Sequence, residues 1–388
     1  MRVVVVGAGA WGLPTAVELA RRGHQVTLVD RYGAGNPLSS SSGPTRLWRL
    51  ADPDPAAIRL GHRSLAATRR LEERVGRRLL LEQGLLWRDS PAALAVIAAA
   101  VSAEGVRHRA VPAAAVGEAL PGLVPDARDA LWFPDAGSLL SAELLAGCRR
   151  LFAADGGTEV AGVVTAVRTT GVGAEVELAD GTVLRADAVV VCAGPGTPNL
   201  LPGLGLTVPL RTYLEQVVHL GRDLDPDARD ALPCLFDGPG EHGGGIYTMP
   251  TPGIGYKLGL DDPLRTWLPG DDDRTPDPAR TAAIVGRSVA LLPALGRDVV
   301  DELVCCWTDS PDGAFVVDRV GADLGRVVVA CGDSGKGFKY AAGMGELLAD
   351  LAEGQPIAPD VAAMSSRRFD DRDADEAWEP TALGGVPT

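Results

Sequence analysis

The 388-residue chain has no apolar run of the roughly 18 residues that a membrane span requires. Its five histidines are scattered without ligand spacing, and its six cysteines (Cys148, Cys192, Cys234, Cys305, Cys306, Cys331) contain no CxxC pair. A zinc centre is therefore not expected, and six cysteines in so long a chain do not make a disulfide framework. Positive charge is also short. Lys and Arg number 37 against 51 Asp and Glu, a net charge of −14, which argues against nucleic acid and anionic membrane surfaces as partners. An apolar strand follows Met1 almost at once, leaving no place for a secretory leader, so the cytoplasm is the expected compartment. What remains is a hydrophobic share of 46%, on a length sufficient for two domains and a large core.

The most informative stretch is the first thirty residues. Val3 to Val6 is an apolar run, Gly7-Ala8-Gly9-Ala10-Trp11-Gly12 a glycine turn, the segment through Ala20 a helix, Val26 to Val29 a second apolar run, and Asp30 its terminal acid. Each part has a role in holding a dinucleotide. Gly7 permits the tight turn, Gly9 lets backbone approach a pyrophosphate, and Gly12 lets the helix pack on the sheet. The helix N-terminus presents unpaired N–H groups to phosphate, and Asp30 is placed to accept hydrogen bonds from a ribose. Pro14 falls early enough in the helix to be tolerated.

After a polar loop with the run Ser39 to Ser42, Arg46 and Arg49 stand three apart, so a helical turn would project both guanidinium groups to one side. They read either as two solvated arginines or as an anion-binding pair. Pro55 to Arg78 is expected to be an amphipathic helix, and Ala92 to Ala115 has helix-forming composition interrupted at Gly105. Trp132 to Gly137 reads as a turn, and Ser141 to Phe152 as a helix capped by Ser141.

From Thr158 the period changes to two. Glu159 to Arg168, Ala174 to Leu178 and a third strand from Val183 form a hairpin arrangement around the turn Asp180-Gly181. Ala188 to Cys192 is a buried strand that ends in the turn Ala193 to Thr197. Further strands are expected in Pro209 to Leu220, Ile246 to Pro250, Gly253 to Leu260, Leu303 to Trp307 and Arg326 to Cys331, with a loop from Asp237 to Gly245. Lys257 lies mid-strand among apolar neighbours, where a lysine ordinarily snorkels to solvent. Cys305 and Cys306 must point to opposite faces of their strand, so at most one reaches any single site. Asp271 to Asp273 reads as a solvated loop without a calcium pattern, and Ala279 to Leu292 as a helix. Gly332-Asp333-Ser334-Gly335 looks like the nucleophile loop of trypsin-like proteases, but the all-β, disulfide-bonded remainder of that pattern is absent. Three glycines ahead of a helix from Tyr340 to Leu351 suggest instead a second anion- or cofactor-facing turn. The chain from Arg368 on is charged and then rich in Gly and Pro, the composition of a mobile tail.

From residue 1 to about 365 the sequence resembles the flavin-dependent amine oxidases of the monomeric sarcosine oxidase type, within the D-amino-acid-oxidase-like superfamily. The resemblance rests on the opening turn through Asp30, Thr45-Arg46 followed by Arg49, the Ala188 to Thr197 strand and turn, Tyr247 and Lys257, Cys305 with Trp307-Thr308, and Gly335 to Lys339. It implies an α/β fold: a Rossmann-like FAD-binding domain, a βαβ unit plus a three-stranded hairpin insert, beside a substrate domain on a larger, mainly antiparallel sheet. The FAD domain would comprise residues 1–80, 150–210 and 320–367, the substrate domain 81–149 and 211–319, and the tail 368–388. The resemblance also implies FAD, held by Gly7, Gly9, Gly12, Asp30, Arg31, Ser41, Ser42, Thr45, Arg46, Val164, Gly194, Gly335, Gly337, Phe338 and Lys339, with a covalent thioether to Cys305 rather than Cys306.

Arg49 and Lys339 match the family's pair for the substrate carboxylate, and Arg46 the arginine close to the flavin ring. Lys257 matches the lysine at which oxygen is activated, where fixed positive charge favours electron transfer to dioxygen. Tyr247 matches a tyrosine beside the substrate, and Trp307 stands where the family often has tyrosine. The helix opening near Phe338 would aim its positive end at the flavin pyrimidine. Ser42 and Asp261 replace histidines of the sarcosine oxidases and Pro44 replaces an acid, which puts sarcosine itself in doubt. An acid at Asp261 suits a substrate with an additional cationic or donor group.

The implied reaction is oxidation of the C–N bond in a carboxylate-bearing secondary or N-methyl amine, giving an imine that hydrolyses, with O2 reduced to H2O2. The implied enzyme is a monomer or small homo-oligomer. The rivals are an oxidase or dehydrogenase of a cyclic imino acid or primary amino acid, an NAD-dependent dehydrogenase, and a flavin-binding protein without turnover.

Overall fold

The computed structural model describes residues 1–240, 243–320, 327–370 and 380. The apolar opening run becomes the strand Arg2–Val6, buried from Val3 onward, at the heart of a six-stranded sheet. From edge to edge the sheet runs Val316–Val320, Val327–Cys331, Ala188–Val191, Arg2–Val6, Gln25–Asp30 and Thr158–Ala161. All pairs are parallel except the first, and the near-continuous valine content is what a sheet covered on both faces requires. Helix Gly12–Arg21 crosses over between the strands Arg2–Val6 and Gln25–Asp30, and helix Ala341–Ala352 packs on it. The contact is close because Gly345 has no side chain; a Cβ there would lie 2.7 Å from Pro14.

Three further sheets complete the frame, one of them the small sheet Arg46–Trp48, Gly137–Leu139 and Leu80–Leu81. The expected hairpin is the three-stranded sheet Val164–Thr169, Ala174–Leu178 and Val183–Ala186, with Gly181 at φ +87° in its turn. A nine-stranded sheet carries the long strand Arg211–Leu220 and its neighbours Gly255–Leu260 and Asp301–Asp309. Its pairings are antiparallel except Cys234–Asp237 beside Leu85–Arg88. Helix Pro278–Leu291 covers the far face of this sheet, with Ile284 and Leu291 packed in a common core with Val218 and Leu258. No helix among the described residues is long and apolar enough to cross a membrane.

Several local expectations are corrected. The segment around Arg46 and Arg49 is extended, not helical, because Arg46–Trp48 pairs with Gly137–Leu139. Helix Pro91–Ala103 stops before Gly105, which takes φ +69°; beyond it Arg109–Val111 is a strand and only Ala113–Ala115 turns as a 3-10 helix. Trp132 and Phe133 lie in the strand Ala130–Phe133, and only residues 134–136 turn. Ser141 does not cap its helix, since its hydroxyl donates to the Gly43 carbonyl at 2.8 Å.

The single strand expected over Glu159 to Arg168 is two, because at Gly162 the chain passes from the parallel sheet to the hairpin. Asp237 ends the strand Cys234–Asp237 rather than opening a loop. The strand expected from Arg326 is described from Val327; residue 326 lies outside the described residues, as does the expected tail at 371–379 and 381–388. The tail's first residues are docked, with Arg368 paired to Asp312 at 2.7 Å and Phe369 buried.

Asp237 is fully buried and accepts from three guanidinium groups, Arg88 and Arg287 at 2.6 Å and Arg128 at 2.9 Å. Removing the acid would leave buried cations uncompensated. Asp237→Ala is predicted to destabilise the protein by about 3–5 kcal/mol in denaturant unfolding, the cost of breaking a buried pair from one side.

Candidate active site

A cavity of about 430 Å³ runs from the opening glycine turn to the nine-stranded sheet. At its first end Gly7 takes φ +98°, and a Cβ would lie 2.2 Å from the Cys192 carbonyl oxygen. Gly12 packs equally tightly on the Gly7 carbonyl. Around Gly9 the nearest atom to an added Cβ is Ser41 Oγ at 3.0 Å, and that hydroxyl accepts from the Ala10 N–H at 2.8 Å. Asp30 accepts from the N–H groups of Ala8 at 2.8 Å and Gly33 at 2.8 Å, which fixes its carboxylate on the cavity wall. Backbone open to close approach, a helix N-terminus and a held acid in one continuous trough fit a long dinucleotide. Arg31, Val164 and Gly194 also line the trough, and Gly335, Gly337 and Phe338 close it from the other chain end. That closure is tied down by the Trp11 indole, which donates to the Gly337 carbonyl at 3.0 Å.

The other end is set by strand register. Glu215 faces Cys305 across the ladder, Tyr213 faces Trp307, and His219 faces Lys257; Gly259 faces Val217 on one side and Tyr247 on the other. Alternation puts these residues on one face, and Glu215, Val217, Tyr247, Lys257, Cys305 and Trp307 line the cavity. Tyr247 leans over Gly259, where a Cβ would come within 2.4 Å of its hydroxyl.

Lys257 is 3% exposed, so the ordinary solvent-reaching reading is overturned. Neighbouring strands bury it, and its ammonium donates to the Thr45 carbonyl at 2.6 Å. Burial, reinforced by Arg46 and opposed by Cys305, brings its pKa down to about 7. Arg46 donates to the carbonyls of Ser40 and Thr45 and lies 5.5 Å over the Phe338 ring.

Arg49 and Lys339 meet the cavity from segments 290 residues apart in sequence, as 339 minus 49 shows. Both are buried, and both approach one oxygen of Asp52, at 3.6 Å and 3.3 Å. Arg49 also stacks 4.8 Å over Trp87. Burial, with repulsion from Arg49, depresses Lys339 to about 7 despite the pull of Asp52. Burial opposes ionisation of Asp52, but Lys339, Arg49 and Lys336 outweigh it and hold the pKa down to about 2.

The two thiols point to opposite faces of their strand, yet both line the cavity, so the expectation that only one reaches a single site is corrected: the cavity wraps past the Ser40 side as well. Cys305 is half-buried on the face of Lys257 and Tyr247, whereas Cys306 is buried, 3.2 Å from the Ser40 hydroxyl, and pushed up to about 11 chiefly by burial. Ser42 lies on the cavity wall, but Gly12, Thr45 and Asp261 do not. Gly12 and Thr45 act from behind, and Asp261 sits past the strand end with its N–H on the Gly245 carbonyl.

The acids on or behind this wall that spacing did not reveal are Glu215, Asp52, Asp333 and Asp272, the last from the loop read as solvated. Glu215 is 2% exposed and paired with Arg280 at 3.1 Å, while burial still drives its carboxyl well above the usual range. Asp333 is pushed up to about 6 by burial, against backbone bonds from Thr308 and Gly335. The only available signals were the period-two phase from Tyr213 to Glu215 and an acid three residues after Arg49. Ser334 in the GDSG segment is fully buried at φ 45°, with its hydroxyl directed to the Gly332 carbonyl, which is no nucleophile arrangement.

Comparison with known proteins places the chain in a family and a fold. The sequence model of the family described as DAO, FAD dependent oxidoreductase, matches residues 2–351. Monomeric sarcosine oxidase from Streptomyces avermitilis is 26% identical over 95% of the chain and 97% of its own length. N-methyl-L-tryptophan oxidase from Citrobacter koseri is 26% identical over 95% of the chain and 98% of its own. Among solved structures, NikD, an unusual amino acid oxidase essential for nikkomycin biosynthesis, superposes with a TM-score of 0.79 at 27% identity, covering 94% of this chain and 96% of that one.

The buried ammonium of Lys257 carries a stability prediction. Its folded value near 7 lies below the roughly 10.4 of an unfolded lysine, so the folded state holds fewer protons between those values and gains stability as pH rises through that window. Lys257→Met removes this dependence. Its stability relative to the native protein is predicted to be greater at pH 6 than at pH 9 in denaturant titrations; equal differences would contradict the buried charge.

Proposed function

The chain belongs to the DAO family of FAD-dependent oxidoreductases, and on that premise we propose that it oxidises the C–N bond of a carboxylate-bearing secondary or N-methyl amine, as a cytoplasmic monomer or small homo-oligomer. Bound FAD supplies the two-electron acceptor, and the imine product hydrolyses in water. The observation that carries the reading is the convergence of Arg49 and Lys339 on the cavity that also receives Lys257 and Cys305.

In this reading the trough from Gly7 and Asp30 to Gly337 and Phe338 holds the dinucleotide, with Arg31, Ser41, Ser42, Val164 and Gly194 along it. The parallel sheet and hairpin form the cofactor unit, and the nine-stranded sheet forms the substrate unit. Arg49 and Lys339 clamp the substrate carboxylate, a pairing of fixed donors that orients the amine. Tyr247 and Trp307 are the aromatic walls beside it. Lys257, held by the Thr45 carbonyl, presents positive charge where dioxygen takes up electrons, and Arg46 adds to the same field. Cys305 is the thiol on the cofactor side and forms the covalent link; Cys306 is turned toward Ser40. The names of the two oxidase relatives, for sarcosine and N-methyl-L-tryptophan, support an N-methyl amino acid as the substrate class. Glu215, rather than Asp261, is the acid on the cavity wall able to meet an additional donor group on the substrate.

Two measurements test this reading. Anaerobic mixing with a panel of N-methyl and cyclic amino acids should bleach the flavin absorbance, and Lys257→Met should leave that step intact while slowing reoxidation by oxygen by about 10²–10³, the cost of deleting one preorganised charge partner. Acid precipitation should keep the yellow colour in the pellet for the native protein and release it for Cys305→Ala; retention in both would reject Cys305 as the link.

A further inference from the structure

The carboxylate clamp contains a carboxylate of its own. Asp52 is 3% exposed, and one of its oxygens lies 3.3 Å from Lys339 Nζ and 3.6 Å from the Arg49 guanidinium. Arg49 and Lys339 line the cavity but Asp52 does not, so it approaches both cations from behind. Its second oxygen accepts from the Asp54 N–H at 3.3 Å, which anchors it at the head of helix Pro55–Val75. The Arg49 guanidinium also donates to the Ala51 carbonyl, so the short segment 49–54 folds back on itself to form this contact.

We propose that Asp52 is the positioning residue of the carboxylate site: one buried acid, shared by Arg49 and Lys339, holds the two cations side by side and extends to higher pH the range over which Lys339 keeps its ammonium form. The proposal rests on the reading of Arg49 and Lys339 as the substrate clamp. Two cations brought together out of water repel each other, and the lysine can escape by releasing its proton, whereas the arginine cannot. Asp52 opposes that escape and defers it to about pH 7. The other groups that bear on this cluster are Lys336, from the turn before Lys339, which favours loss of the proton, and Asp54, whose charge is felt at Tyr340. The Tyr340 ring also lies beside the ammonium, its centroid 4.8 Å from Lys339 Nζ. The consequence is that Asp52, though it touches no substrate, sets the upper pH limit for holding a carboxylate.

The test uses the FAD-loaded full-length protein and acetate as the probe, with binding read from the perturbation of the flavin spectrum between pH 5.5 and 9. In the native protein acetate affinity should fall as pH rises through about 7, where Lys339 loses its proton. Asp52→Asn should move that midpoint to lower pH by about one unit or more, the size of shift that one close opposite charge makes. Asp52→Glu should restore it. Lys257→Met should retain the native midpoint, which separates the two buried lysines. An unchanged midpoint in Asp52→Asn overturns the proposal, as does a shift that Asp52→Glu reproduces in full, because that would report local packing and not charge. If Lys339→Met binds acetate as tightly as the native protein, with the same pH dependence, the clamp reading itself fails, a result distinct from failure of the role of Asp52.

Discussion

Burying ammonium groups in a protein is costly unless fixed dipoles or countercharges replace the lost water, and the centre of this molecule is built around that cost. Lys257 and Lys339 both reach one cavity almost out of solvent contact. Each is held by a different device: the Thr45 carbonyl for Lys257 and the Asp52 carboxylate for Lys339. Arg46 and Arg49, both bearing on the same space, keep the local potential positive. A cavity so arranged favours anionic groups and developing negative charge, which is what a bound carboxylate and the reduction of dioxygen have in common.

The fold makes this arrangement possible by bringing remote segments together. Lys339 reaches the cavity through the turn that follows the strand Val327–Cys331, and that turn is pinned to the opening βαβ unit by Trp11. Trp11 packs edge-on against Phe315 at 5.1 Å, and Phe315 against Tyr340 at 5.2 Å, so an aromatic chain links the opening glycine turn to the residue after Lys339. Lys257 arrives instead through ladder register, and a slip of one residue would turn it, with Glu215 or Cys305, to the other face of its strand.

Much of the frame was legible in the sequence because its causes are local. The glycine turn ending in Asp30, the Asp180-Gly181 hairpin and the alternation around Cys305 and Cys306 depend on residues a few positions apart. Where the reading failed, a partner from far along the chain decided. Arg46 and Arg49 have helical spacing, but pairing with Gly137–Leu139 made the segment extended. Lys257 has the sequence context of a solvent-reaching lysine, and only the strands on either side of it explain its burial. Asp52 lies three residues from Arg49, yet its importance comes from Lys339, 287 positions away. Glu215 went unremarked because nothing near it in sequence shows that Cys305 stands opposite.

The central claim is that the chain oxidises an amine it holds by a carboxylate. The most direct measurement compares the rate of anaerobic flavin reduction by an N-methyl amino acid with that by the same amine lacking its carboxylate, for example N-methyl-L-tryptophan against N-methyltryptamine. Reduction by the amino acid, with loss of at least two orders of magnitude for the decarboxylated amine, is the result the clamp predicts, since positioning by remote binding contributes on that scale. Equal reduction by both compounds would contradict it and assign Arg49 and Lys339 to another task.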